Sequence, residues 1–184
     1  ISALIKVNKS SVSDAVQGCL VWLGRFERGV TGVAFLVLIV AVFLDVLNRE
    51  ITGTGLHWAR QVGVYANVFV VMFGLGLASA GGTHLRPKFA DNWLPQRFSP
   101  WLERGTDLGM ALFSAAFAVL ATLVVSESVQ LQERSVALRM AIWPFQAVVP
   151  LAFTLAACRH LAYATWPELR PPESGALADT DVAQ

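Results

Sequence analysis

Four stretches of the sequence are free of charged residues and long enough, or nearly long enough, to cross a lipid bilayer. A transmembrane helix needs about 17–25 mostly apolar residues to span a hydrocarbon core of about 30 Å. The charged residues lie between these stretches, whereas a soluble helix bundle would carry them along one face of each helix. The sequence therefore predicts an all-α polytopic membrane protein with four transmembrane helices. The uncharged runs are 29–44, 61–83, 108–126 and 140–158.

The segments around these runs suggest how the chain is organised. Residues 1–28 are expected to form an amphipathic lead-in at one membrane surface, and residues 29–163 one compact four-helix transmembrane domain. Residues 164–184, which are rich in proline and polar residues, are expected to form a disordered tail. Aromatic and charged residues alternate in 86–104, so we expect this interfacial segment to lie in the membrane plane, with breaks at Pro95 and Pro100.

The basic residues predict the orientation of the chain in the membrane. Of the 14 lysines and arginines, ten lie before the first run, between the second and third, or after the end of the fourth. The remaining four lie in the other two connections. Because basic residues are retained on the cytoplasmic side, both termini are expected to be cytoplasmic.

The sequence motifs of common enzyme and metal sites are missing. HExxH, GxSxG, a phosphate-binding glycine loop and CxxC do not occur. His57, His84 and His160 are far apart in sequence, whereas a haem site in a membrane bundle needs paired histidines. We therefore expect no enzymatic activity, no cofactor or metal and no nucleic-acid partner.

Two polar residues, one at the end of the first run and one within the second, are candidates for a special role. Asp45 closes the first run and lies four residues before Arg49, a favourable spacing for an ion pair on a helix. A structural pair is the favoured interpretation, with a partner contact or an ion or proton relay as alternatives. Asn67 lies within the second run, and we expect its amide to be buried and to bind a neighbouring helix.

The order of features along 30–163 resembles the DctQ family, the small membrane subunit of the tripartite ATP-independent periplasmic (TRAP) transporters. The resemblance rests on short segments whose order and spacing match as a set. They are Asp45-Val46-Leu47-Asn48-Arg49, Trp58 and Tyr65, Phe73 to Ala80 leading to His84-Leu85, Leu94-Pro95, Ser135-Val136-Ala137-Leu138, Ile142-Trp143-Pro144, Pro150 and Arg159. Arg60-Gln61 and Arg86-Pro87-Lys88 depart from it, because the family usually has acidic residues near these positions.

The resemblance implies a scaffold subunit in the bacterial inner membrane. Such a subunit would pack against a large, DctM-like membrane subunit that moves organic acids with a sodium gradient. A periplasmic solute-binding protein would deliver the substrate to the complex. The candidate residues for a partner interface or a structural polar role are Asp45, Arg49, Trp58, Tyr65, Gly74, His84, Arg86 and Trp143.

Two alternatives remain at this point. The chain could be a structural subunit recruited into a different membrane complex, such as an energy-transducing assembly. It could also be an intramembrane redox enzyme, in which His84 and His160 would share a site at the cytoplasmic side. The identity of a stoichiometric membrane partner separates the first alternative from a transport role, and an absorption spectrum tests the second.

Overall fold

The structure is a computed structural model that describes the backbone of residues 2–80 and 99–170 and the side chains of 13–80 and 104–170. Within these ranges the regular structure is helical, apart from one isolated antiparallel bridge between Arg134 and Ala141. The elements are α1 (Ser2–Thr52), α2 (His57–Ala80), α3 (Ser99–Gln130), α4 (Trp143–Gln146), α5 (Val148–Thr165) and a 3-10 turn at Pro167–Leu169.

Four helical segments are long and apolar enough to cross a membrane, which confirms the predicted fold class. They are Ser13–Thr52, His57–Ala80, Arg104–Gln130 and Trp143–Thr165, the last of which comprises α4 and α5. The fourth spanning segment begins at Trp143, and Pro144 lies in its first turn. Proline is tolerated there because the backbone N–H groups of a first turn have no hydrogen-bond partner within the helix.

The first helix is continuous across the expected boundary between lead-in and membrane domain. It has 51 residues, which corresponds to a length of about 77 Å at 1.5 Å per residue. That is more than twice the thickness of a hydrocarbon core. The lead-in is therefore a direct extension of the first spanning helix, and a large part of α1 extends beyond the bilayer.

The described helices pack in the order α1, α2, α5, α3. Extensive packing joins α1 to α2 and α3 to α5, and α2 joins the two pairs through α5. Between α1 and α3 the described residues form no comparable packing. In lipid, apolar helix faces need not be hidden from solvent, so there is little hydrophobic force to close the row into a bundle.

Small side chains line the two tightest helix pairs. Ala59, Gly63 and Ala66 are buried on α2, and the Cα of Gly63 faces Leu38 and Val42 of α1. On α3, the buried residues Ala111, Ser114 and Ala118 recur at helical spacing on one face. Small residues let helix backbones approach closely, and close van der Waals contact is the main attraction between helices in lipid.

Two expectations about the connecting segments need correction. Pro100 is the second residue of α3, where a first-turn proline is tolerated, so it does not break the chain into a separate in-plane segment. Residues 164–170, assigned above to the tail, complete α5 and form the 3-10 turn, and Arg170 pairs with Asp107. The remainder of the interfacial segment, 86–98, and the remainder of the tail, 171–184, lie outside the described residues.

Candidate partner interface and the polar layers that hold it

A buried ion pair joins the first and last spanning helices. Arg159 of α5 donates a hydrogen bond to Glu27 Oε2 of α1 at 2.5 Å, and the two residues are only 1% and 2% exposed. A second guanidinium nitrogen of Arg159 donates to the carbonyl oxygen of Gly76 on α2. Three helices are thus connected by one charge pair. Such a pair compensates two charges that would each be costly to bury alone.

Gly76 is the residue that makes room for this pair. A methyl carbon at Gly76 would lie 2.8 Å from Cδ of Glu27 and closer still to its Oε1. Since ordinary carbon contacts are about 3.5–4.0 Å, no side chain fits while Glu27 keeps its bond to Arg159. The glycine therefore serves close approach of a side chain to the backbone of α2.

A second buried network lies next to the first. His160 Nε2 is 3.2 Å from Ser79 Oγ, and His160 Nδ1 is 3.4 Å from Asp107 Oδ1. Asp107 Oδ2 also accepts a hydrogen bond from Arg170. The order Ser–His–Asp is that of a hydrolase triad, but Ser79 is only 4% exposed and the carboxylate is shared with an arginine. This network is suited to holding α2, α3 and α5 together.

At the opposite end of the spans, Asp45 connects α1 with the start of α2. Its Oδ2 accepts a hydrogen bond from Arg49 at 2.8 Å, so the predicted ion pair is present, and Arg60 lies 4.0 Å from the same oxygen. Its Oδ1 accepts the backbone N–H of Leu56 at 2.6 Å. The carboxylate thereby satisfies a donor just before α2, where negative charge is favourable.

The connection from α1 to α2 is shaped around this carboxylate. Gly53 has a φ of +74°, the left-handed conformation that commonly ends a helix, and its N–H donates to Arg49 O at 2.9 Å. Asn48 Nδ2 donates to Thr54 O at 2.6 Å. A Cβ at Gly55 would lie 3.0 Å from Asp45 Oδ1. The turn is therefore fitted closely to Asp45.

The two polar layers are separated by about the thickness of a hydrocarbon core. Glu27 and Asp45 lie on the same helix, and the rise of 1.5 Å per residue places their Cα atoms about 27 Å apart. Asp107 and Ser128, both buried on α3, are about 31 Å apart by the same measure. The buried charges thus lie at the span ends, with apolar helix between them.

Two of the candidate aromatic residues lie at the Asp45 end of the spans. Trp58 is the second residue of α2 and Trp143 the first of α4, and both side chains are exposed. The connection between α3 and α4, which contains the bridge between Arg134 and Ala141, lies at the same end. Tryptophans at span ends are typical of the membrane–water interface.

Tyr65 lines an apolar groove of about 700 Å³ between α1, α2, α4 and the connection that precedes α4. Its ring stacks on Phe145 with centroids 4.1 Å apart and planes 6° apart. The Tyr65 hydroxyl is buried and has no hydrogen-bond partner within the described structure. Val33, Val37 and Phe69 are among the apolar residues of the groove.

Gly74 and Asn67 face outward from the described helices. A Cβ added at Gly74 would have no atom of another helix within 4 Å, in contrast to Gly76 two residues later. Asn67 is exposed and forms no hydrogen bond with a described residue, so the expectation of a buried, bonded amide is wrong. The error has a geometric cause, because Asn67 is one position beyond the buried Ala66 and points away from α1.

The structure brings Asp45 and Arg49 together, and Trp58 lies at the same end of the spans, at the start of α2. It does not bring these residues together with Gly74, which lies towards the other end of α2. His84 and Arg86 lie outside the described residues. Among the described residues there is no group of three His, Cys, Asp or Glu side chains arranged to hold a metal ion.

A family model described as "Tripartite ATP-independent periplasmic transporters, DctQ component" matches residues 38–170. The chain belongs to the DctQ family. No match was found in the comparison with curated proteins or in the comparison with solved structures. The DctQ family is a family of transporter components and not of enzymes. The chain is accordingly a multi-pass membrane protein and a small-subunit component of the TRAP type.

The DctQ match contains Asp45, Asp107 and Arg159, and it begins after Glu27. The roles of Glu27, Asp107 and His160 were not predicted from the sequence. A simple signal was present, because Asp107 directly precedes the third uncharged run and Arg159 directly follows the fourth. Charged residues at the borders of spans are the ones that can reach each other across neighbouring helices while the apolar centres stay uncharged.

Proposed function

We propose that this DctQ-family chain is the scaffold subunit of a TRAP-type secondary transporter for organic acids. In this proposal it packs in the bacterial inner membrane against a large, DctM-like subunit, and both of its termini are cytoplasmic. The large subunit moves the substrate with a sodium gradient, and a periplasmic solute-binding protein delivers that substrate. The family match supports membership of such a system.

The observation that carries the scaffold role is the neutralisation of the buried charges within the chain. Glu27 is paired with Arg159, Asp107 with His160 and Arg170, and Asp45 with Arg49. An ion-coupled carrier holds its ion and substrate at polar groups near the bilayer midplane, beside interrupted helices. Here the buried charges are at the span ends and already bind each other, an arrangement that supports a fixed helix framework.

The apolar exterior of the spans also supports a role in an assembly. In the most apolar stretch of each span, only 11% to 28% of the residues are buried within the chain. Most of the span surface is therefore left for lipid or for a partner. Because the described parts of α1 and α3 form no comparable packing with each other, these helices leave a broad apolar face outside the chain. A broad face suits lateral packing against a larger membrane protein.

The proposal is tested by co-expressing the chain with the large subunit and the binding protein of the same transport system, with an affinity tag on this chain alone. We expect the large subunit to co-purify from mild detergent in a fixed molar ratio, as measured by quantitative mass spectrometry. Purification of the chain without the large subunit would contradict the proposal. So would its recovery in a fixed ratio with the subunits of a different membrane complex.

A further inference from the structure

The exposed face of α2 carries one feature that lipid cannot accommodate well. Asn67 is the eleventh of the 24 residues of α2 and lies within the uncharged run 61–83, so its amide is at the depth of the hydrocarbon core. The side chain is exposed and has no hydrogen bond within the described structure. Lipid tails offer neither donors nor acceptors, and an unsatisfied amide in an apolar medium is costly.

Other exposed polar side chains inside the spans bond to their own helix. Thr154 on α5 donates to the carbonyl of Pro150 at 2.7 Å, and Thr122 on α3 donates to Ala118 at 2.7 Å. Such hydroxyls are satisfied locally and need no partner. Asn67 differs from them because its two donors and its acceptor oxygen remain available.

The surroundings of Asn67 permit another helix to come close. Asn67 shares one face of α2 with Val64 and Val71, which are three and four residues away, and with Arg60 and Gly74, which are seven residues away on either side. Val64 and Val71 are exposed, and the space over Gly74 is open. The groove lined by Tyr65 lies on a different side of α2, and most of its other lining residues are apolar.

We propose that the face of α2 formed by Val64, Asn67, Val71 and Gly74 binds a transmembrane helix of the large TRAP subunit, and that this helix presents a polar group to the Asn67 amide. The inference rests on the proposed function, since that function supplies the large subunit as the partner. The chemistry of the face selects a protein helix over lipid, because only a helix combines a hydrogen-bonding group with a surface that fits the open space at Gly74.

The contact is tested directly by placing the photoreactive residue p-benzoylphenylalanine at position 67 in the co-expressed transporter. The matched control carries the same residue at Val119, an exposed position on α3. We expect ultraviolet light to join position 67 to the large subunit, with at least a several-fold lower yield from position 119. Crosslinking of position 67 to a second copy of this chain, or to lipid alone, would overturn the proposal.

Two substitutions test the energetics of the same face. Replacing Asn67 by Leu is expected to weaken association with the large subunit about 3- to 18-fold, the range for hydrogen bonds between membrane helices. Gly74→Leu should block association, whereas Gly109→Leu, at an equally open glycine on α3, should leave it unchanged. Melting of each purified variant checks that the chain itself still folds.

The two proposals fail in different ways. If the wild-type chain does not co-purify with the large subunit, the proposed function fails. If the wild-type chain does co-purify, and Asn67→Leu and Gly74→Leu bind as strongly as Gly109→Leu, the docking face on α2 is wrong while the proposed function stands.

Discussion

Glu27 and Arg159 are 132 positions apart in the chain, yet their side chains form a buried ion pair with an N···O distance of 2.5 Å. Because Arg159 also binds the backbone of Gly76, this one contact fixes the relative positions of α1, α2 and α5. Apart from this pair and the network of Ser79, His160 and Asp107, many of the buried residues at the helix contacts are small, and small residues allow close packing but do not by themselves select one depth of insertion. The pair therefore sets the register between helices that are remote in sequence.

Replacing Gly76 by Ala should destabilise the protein, because the added methyl group would displace Glu27 from Arg159. We expect a loss of about 1–3 kcal/mol in the free energy of unfolding, as is typical of overpacking. Gly74→Ala is the matched control, since open space surrounds Gly74, and it should stay within about 1 kcal/mol of the wild type. Unfolding in mixed detergent micelles, followed by circular dichroism, measures both. Equal behaviour of the two variants would contradict the close approach.

Removal of either partner of the Glu27–Arg159 pair should be more harmful than removal of both. Glu27→Met or Arg159→Met alone leaves a buried charge uncompensated, which costs about 3–5 kcal/mol. The double variant loses both charges and should recover most of that stability, although the carbonyl of Gly76 then lacks its donor. A double-mutant cycle of unfolding free energies gives the coupling. Additivity within about 0.5 kcal/mol would show that the two side chains do not interact.

Asp45 should matter more for stability than Arg49, although the two form a pair. Arg49 is more than half exposed, and exposed ion pairs contribute roughly 0–1 kcal/mol. Asp45→Ala also leaves the backbone N–H of Leu56 without its acceptor, which lowers the free energy of unfolding by about 1–3 kcal/mol more. Asp45→Asn retains an acceptor oxygen, so its loss of stability should lie between that of Arg49→Ala and that of Asp45→Ala. Thermal melting ranks the three variants, and a loss from Arg49→Ala as large as that from Asp45→Ala would be inconsistent with this role.

The C-terminus should be cytoplasmic, because ten of the 14 basic residues lie on the same side of the membrane as both termini in the proposed topology. Alkaline phosphatase fused after Gln184 should be inactive, since this enzyme folds only after export. A fusion within the connection that contains Val136, which is 98% exposed, should be active. The opposite pattern of activities would reverse the orientation.

The sequence sufficed for the spans but not for their arrangement. Uncharged runs reveal where helices cross the bilayer because lipid excludes charge, and the four predicted helices are present. The contact between Asp45 and Arg49 was predictable because both residues lie on one helix, four positions apart. Pairing between Glu27 and Arg159 was not, because it depends on which helices are neighbours and at what depth. Helical spacing alone also does not say which face of α2 is covered, and this is why Asn67 was expected to be buried.

The central claim is that the chain is a scaffold that does not transport by itself, and reconstitution into liposomes tests it most directly. A sodium gradient is imposed, and uptake of a panel of radiolabelled organic acids is measured for the chain alone. The same assay is then run with the chain, the large subunit and the binding protein together. We predict sodium-dependent uptake only when the large subunit is present. Sodium-dependent uptake of any organic acid by the chain alone would contradict the account.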